Sequence, residues 1–215
     1  KEQLDRGGTQ EEKYERLLTY FLSQYGEDKI LVDSSKNSYP LIGSLARKHD
    51  LRVLYLTRDF RSWSYARHLS TGKPLIYFIL RWWLENLKLR SRIRKMQLRA
   101  LEVGNEEWVL YPELVSKSIA EFLEIPYTSD ILKPGKSSSH IISGNIARID
   151  PEKRTAFIYD SRWFLSGRLM RLTFLFSWLN RLNRKWVYSH LDKNGMAGFP
   201  FFGTRRRESL SKEYN

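Results

Sequence analysis

Two short apolar runs, each breaking off in polar residues, constrain this chain more than any other feature. The first is Lys29-Ile-Leu-Val-Asp33-Ser34-Ser35-Lys36, and the second is Arg52-Val-Leu-Tyr-Leu-Thr57-Arg58-Asp59-Phe60-Arg61. Between them, Tyr39 to His49 sets Leu41, Ile42, Leu45 and Ala46 at helical spacing. Strand, helix and strand in roughly thirty residues is the length of a βαβ unit, whose strands lie parallel in one sheet. The expected fold class is therefore α/β. Ligands of such sheets bind outside the carboxyl ends of the strands. Asp33, Ser34, Ser35, Lys36, Arg58 and Arg61 are thus expected on one rim. Hydroxyls and cations beside helix N-termini suit a phosphorylated ligand.

The rest of the chain extends this pattern. Thr9 and Glu12 form a capping box that opens a helix carrying Tyr14, Leu17, Leu18, Phe21 and Leu22 on one face, with Gly26 to close it. A strand is expected at Lys29–Asp33, another at Val53–Thr57, and a helix from about Phe60 to Leu69. After the breaker Thr71-Gly-Lys-Pro74, Leu75 to Glu102 reads as one long helix or two in series. Trp108–Tyr111 reads as a third strand, and Pro112–Leu123 as a helix with proline in its first turn. Pro126 to Ser139 is a long polar loop, and Arg162–Lys185 an amphipathic helix. One α/β domain is expected over residues 1–190, with 191–215 as a C-terminal extension.

Thirty-seven Lys and Arg against 24 Asp and Glu give a formal charge of +13. That favours anionic partners: nucleotides, sulfated or phosphorylated acceptors, nucleic acid, or anionic lipid headgroups. Much of the charge lies in Lys88, Arg90, Arg92, Arg94, Lys95 and Arg99, which form either a solvated face or a guide for an anionic acceptor. Without cysteine, disulfides and thiolate metal sites are excluded. No metal-ligand spacing is present, and no metal is expected. With no signal peptide and no apolar run of the ~20 residues a span requires, a cytoplasmic location is expected. The basic Arg162–Lys185 helix, with Phe and Trp on it, leaves peripheral contact with an anionic membrane open.

Five ordered blocks carry a family resemblance. Val32-Asp-Ser-Ser-Lys36, followed by Arg52-Val-Leu-Tyr-Leu-Thr-Arg58-Asp-Phe-Arg61, resembles the sulfotransferases that use 3′-phosphoadenosine-5′-phosphosulfate (PAPS), of the bacterial and carbohydrate type. Trp82, Trp83 and Asn86 are similar to that family's W-x-x-N helix. Tyr111-Pro-Glu-Leu114 resembles its Y-E-D-L segment, and Ile119-Ala-Glu-Phe-Leu-Glu-Ile-Pro-Tyr127 its I-x-x-F-L-G-L-P-Y. His140-Ile-Ile-Ser-Gly-Asn-Ile-Ala-Arg148 is similar to its H-x-I-x-G-N-x-M-R.

The resemblance implies a parallel sheet of the P-loop nucleoside-triphosphate-hydrolase type, with helix-rich insertions and a C-terminal helix. It also implies transfer of a sulfuryl group from PAPS, without metal, to a hydroxyl or amine of a carbohydrate, lipid or small-molecule acceptor. Arg58 matches the arginine that holds the 3′-phosphate. The family's serine lies eight residues on, where this chain has Ala66, so Ser64 is the substitute hydroxyl, with Ser62 also near. Ser34, Ser35, Ser143, Gly144, Asn145 and Arg148 are the other cofactor-binding candidates. Lys36, beside the leaving phosphate or the acceptor, and His140, as a proton-transfer residue, are the catalytic candidates. Each has a structural alternative: an ion pair for Arg58, a helix cap for Asp33 and Ser35, packing for His140.

The glycine-containing phosphosulfate loop of the family, G-x-x-R-S-G-T-T, has no counterpart before Lys29. The expectation is that the numbered chain omits a segment carrying it. The rival readings are a sulfotransferase-like nucleotide-binding protein without activity, and a basic nucleic-acid-binding protein.

Overall fold

A computed structural model describes residues 8–26, 29–33, 42–132 and 159–189. The chain divides into two compact units, Lys1–Arg52 with Arg94–Arg99, and Val53–Ile93 with Ala100–Asn215.

In the first unit, α1 spans Gln10–Tyr25 and α2 spans Ile42–Lys48. The capping box of α1 forms as its sequence dictates: Thr9 Oγ1 accepts from the Glu12 N–H at 3.2 Å, and the Thr9 N–H donates to Glu12 Oε2 at 2.9 Å. Gly26 closes the helix with its N–H on the Leu22 carbonyl, at φ 93°, a backbone conformation that favours glycine. Lys48 Nζ lies 2.7 Å from Glu11 and His49 Nε2 3.0 Å from Glu15, which ties the end of α2 to α1.

The strand expected at Lys29–Asp33 does not form. Those residues carry no regular structure, and Ile30 and Val32 are exposed, Val32 by 78%. A β-branched run becomes a strand only beside another strand that satisfies its backbone groups, and no described strand pairs with this one. Asp33 accepts instead from the Tyr14 hydroxyl at 3.3 Å.

The second unit holds the sheet apart from the first residue of each strand. Strands β1 (Arg52–Thr57) and β2 (Arg99–Gly104) pair in parallel, flanked by helices. Between them run α3 (Phe60–Thr71) and α4 (Leu75–Lys95), so the parallel crossover is made by two helices rather than by the 39–49 segment. Then follow α5 (Asn105–Leu110), α6 (Pro112–Leu123), 3₁₀ turns at Ser129–Leu132 and Arg162–Leu165, α7 (Gly167–Leu175) and α8 (Ser177–Val187). The expected Leu75–Glu102 helix stops at Lys95, where Gln97 at φ 51° turns the chain into β2. Trp108–Leu110, expected as strand, lies in α5, whose first turn carries Glu106 and Glu107 at the end that favours carboxylates. The Arg162–Lys185 stretch forms a 3₁₀ turn and two helices, broken at Phe176.

The core of this unit joins α3, α4 and the last two helices. Phe60, Leu75, Ile79, Trp82, Trp163, Leu169, Leu179, Trp186 and Val187 are buried together. Trp82 sits between Phe60 and Trp186, with ring centroids 5.7 and 5.5 Å away. A second cluster, Val103, Val115 and Ile119 with Leu54 and Leu101, packs the sheet against α6.

Gly104 marks the tightest approach, because a Cβ there would overlap the backbone carbonyl of Val187. Backbone cannot rotate away as a side chain can. Gly104→Ala is therefore expected to cost about 1–3 kcal/mol, as for overpacked cores, measured by urea denaturation. A loss near zero contradicts this close contact.

Candidate functional site

The carboxyl end of β1 is where the described residues concentrate their buried charge. Thr57 ends the strand, Asp59 caps α3, and Arg58 lies between them. The Arg58 carbonyl accepts from Trp82 Nε1 at 2.8 Å. Asn86, one turn along α4, donates to the Trp82 carbonyl and accepts from the Tyr55 hydroxyl. The tryptophan and asparagine singled out in the sequence thus brace both β1 and the residue that follows it.

Asp59 is fully buried and completely used. Its Oδ1 accepts from the Arg61 N–H at 2.8 Å and from Arg61 Nε at 2.9 Å. Its Oδ2 accepts from Arg61 Nη2, from Asn183 Nδ2 at 2.8 Å and from the Tyr188 hydroxyl at 3.1 Å. Burial pushes this carboxyl up, but the Arg61 guanidinium and the donated hydrogen bonds hold it below its ordinary value. The Arg61 guanidinium in turn lies 4.3 Å from the Trp163 ring centroid. Asn183 locks the arrangement by also accepting from the Phe60 N–H at 3.0 Å.

Glu106, at the start of α5, is the second buried carboxyl. Its Oε2 accepts from the Asp59 N–H at 2.7 Å. Its Oε1 makes no hydrogen bond among the described residues, and faces Arg58 Nε at 3.5 Å. Burial, reinforced by the negative charge of Asp59, raises this carboxyl from 4.5 to about 7. The same causes push the Tyr188 hydroxyl up.

Arg58 is the part of this network that reaches solvent, its side chain 34% exposed. Nε and Nη2 donate to Ser62 Oγ at 3.1 and 2.8 Å, and Nη2 donates to Asp160 Oδ2 at 2.7 Å. Nη1 makes no hydrogen bond among the described residues. Asp160 is shared, since Arg162 Nε donates to its Oδ1 at 2.8 Å and holds the carboxyl below its usual range. The result is a guanidinium fixed in direction by a serine and a carboxylate, with one nitrogen left without a partner among the described residues. Such a group suits a phosphate or sulfate oxygen.

Several expectations change here. Ser64 is fully buried and its Oγ has no partner among the described residues, so the hydroxyl beside Arg58 is that of Ser62, not Ser64. Arg61, expected on the rim, is buried against Asp59. Arg90, from the basic run, is also buried. It pairs with Glu102 and lies over the rings of Tyr55 and Trp186 at 5.3 and 4.4 Å. Ser34, Ser35, Lys36, His140, Ser143, Gly144, Asn145 and Arg148 lie outside the described residues, as does the 191–215 extension. The rim shared by Ser34 and Arg58 is therefore neither formed nor broken by the geometry above.

Glu106, Asp160, Asn183 and Tyr188 were not marked in the sequence. Asn183 had a signal: it interrupts the apolar stripe Leu179-Asn183-Trp186 of an amphipathic helix, and a polar residue there needs a buried partner. Glu106 had a weaker one, an acidic pair just after the helix-breaking Gly104-Asn105. Asp160 had none.

Among the described residues no three His, Asp or Glu side chains gather as a metal site, and no helix is long and apolar enough to cross a membrane. Comparison with protein-family models, with curated proteins and with solved structures gives no match.

Proposed function

We propose that this chain is a PAPS-dependent sulfotransferase whose Arg58 binds the 3′-phosphate of the nucleotide. The observation that carries the reading is the Arg58 guanidinium at the carboxyl end of β1, held by Ser62 and Asp160, with no partner for Nη1 among the described residues. That position, at a strand end and just before the first turn of α3, is where an open parallel sheet takes an anionic ligand. In this reading β1 and β2 belong to a parallel sheet of the P-loop nucleoside-triphosphate-hydrolase type.

The chemistry is a displacement at sulfur. The acceptor oxygen or nitrogen forms a bond to sulfur as the bond from sulfur to the bridging phosphate oxygen breaks. The product nucleotide, 3′-phosphoadenosine 5′-phosphate (PAP), leaves with the electron pair. Reactions of this kind depend on in-line positioning and on charge stabilisation at the leaving group. Lys36 is the proposed cation at the departing phosphate, and His140 the proposed acceptor of the proton.

Isothermal titration with PAP and with AMP tests the reading. Arg58→Ala is expected to weaken PAP binding by about 1.5–3 kcal/mol, the contribution of hydrogen bonds to a charged group. AMP, without a 3′-phosphate, should bind both proteins alike. A folded Arg58→Ala protein with undiminished PAP affinity overturns the assignment. Affinity for RNA or DNA that falls steeply with salt, without preference for PAP, favours the nucleic-acid reading instead.

A further inference from the structure

The last two helices carry a feature that the nucleotide reading does not use. From Ser161 to Ser189 there are six Lys and Arg residues and no Asp or Glu. On α7, Leu169 and Thr173 point into the core. Its opposite side mixes arginines with large, exposed apolar side chains. Phe174 is 87% exposed and Leu175 71%, while Leu165, on the turn before α7, is 89% exposed. Trp178, partly exposed, continues the patch onto α8 and meets the Trp83 ring of α4 edge-on at 5.1 Å. Arg168, Arg171 and Arg181 are exposed along the same two helices.

We propose that this surface, formed by α7 and α8, docks the protein on an anionic lipid bilayer. Its two components match the two layers of a membrane interface. Phe174, Leu175 and Leu165 have the size and exposure to enter the acyl boundary, and the arginines lie where acidic headgroups are.

Other occupants fit less well. A second copy of the chain, docked face to face on the same patch, would bring two cationic surfaces together with no carboxylate from these helices between them. A nucleic acid would meet the arginines but would leave Leu165 and Leu175 in water, since bases stack on aromatic rings and guanidinium planes and not on leucine. The proposal is independent of the nucleotide reading.

Co-sedimentation of the full chain with vesicles tests it, comparing phosphatidylcholine alone with phosphatidylcholine containing phosphatidylglycerol. The wild-type protein is expected to favour the anionic vesicles by at least about tenfold, an advantage that falls as salt rises. Phe174→Ser with Leu175→Ser should reduce that binding about tenfold or more without lowering Tm, because both side chains are exposed. Arg168→Glu with Arg171→Glu, made separately, should abolish the preference for anionic vesicles. Equal binding by the wild type and the serine variant overturns the proposal. So does a protein that ignores vesicles and instead binds RNA, or dimerises through Phe174.

Discussion

Asp59→Asn is expected to lower the stability of the chain by about 3–5 kcal/mol, the loss seen when one partner of a buried ion pair is removed. The size follows from what stays behind. Arg61 is nearly as buried as Asp59, and the substitution removes the carboxylate whose charge offsets the cost of burying its guanidinium. An asparagine also cannot accept from Arg61, Asn183 and Tyr188 together in the present geometry, because one of its two terminal groups is a donor. Against a total stability of about 5–15 kcal/mol for an ordinary domain, this is a loss that guanidinium or thermal denaturation detects without difficulty. Arg61→Met should cost less, because Asp59 keeps Asn183, Tyr188 and the backbone N–H of residue 61. Pairing Asp59→Asn with Arg61→Met should then cost less than the sum of the two, as expected for residues in direct contact. An Asp59→Asn loss below about 1 kcal/mol contradicts the pair as described.

Glu106→Gln should change how stability depends on pH. With its carboxyl raised from 4.5 to about 7, the folded chain retains a proton between those values that the unfolded chain has released. Folding is therefore favoured at the acid end of that window, and the contribution is lost as pH rises through about 7. The full change is on the order of 3 kcal/mol. Glutamine cannot ionise, so the variant should lack this fall. Its stability should approach that of the wild type near pH 5 and exceed it near pH 8. Asp59 acts in the opposite sense at lower pH: its carboxyl is held below 3.8, so its contribution is present above that value and lost as the solution becomes more acidic. The two windows do not coincide, and the difference between wild type and Glu106→Gln isolates the first. Parallel pH profiles for the two proteins contradict a buried, raised Glu106.

What could be read in advance divides along physical lines. The capping box at Thr9, the αL turn at Gly72 and the proline opening α6 depend on neighbours in sequence, and local chemistry is sufficient to place them. β1 was legible as an apolar run that breaks off in polar residues, but Lys29–Asp33 looks the same in sequence and has no strand to pair with among the described residues. β2 was hidden for the converse reason: Arg99, Ala100, Leu101 and Glu102 are all good helix formers, and pairing with β1 overrides that preference. At the candidate site, Arg58 could be found from its place after a strand. Ser62, one turn away on α3, was noted as a nearby hydroxyl although Ser64 was preferred, whereas Asp160, 102 residues further on, had no local signal. Nor does sequence spacing distinguish an arginine that reaches solvent, Arg58, from two that are buried, Arg61 and Arg90.

In the proposed reading the Arg58 guanidinium selects for a phosphate on the ribose 3′ oxygen, and melting the protein in the presence of two nucleotides tests this most directly. A ligand that binds only the folded form raises Tm in proportion to the logarithm of its concentration over Kd. PAP should raise the Tm of the wild-type chain well above the value reached with AMP at equal concentration, and Arg58→Ala should remove that difference. Equal Tm values with PAP and AMP for the wild-type protein, at concentrations where either one binds, contradict the assignment of Arg58 and the sulfotransferase reading with it.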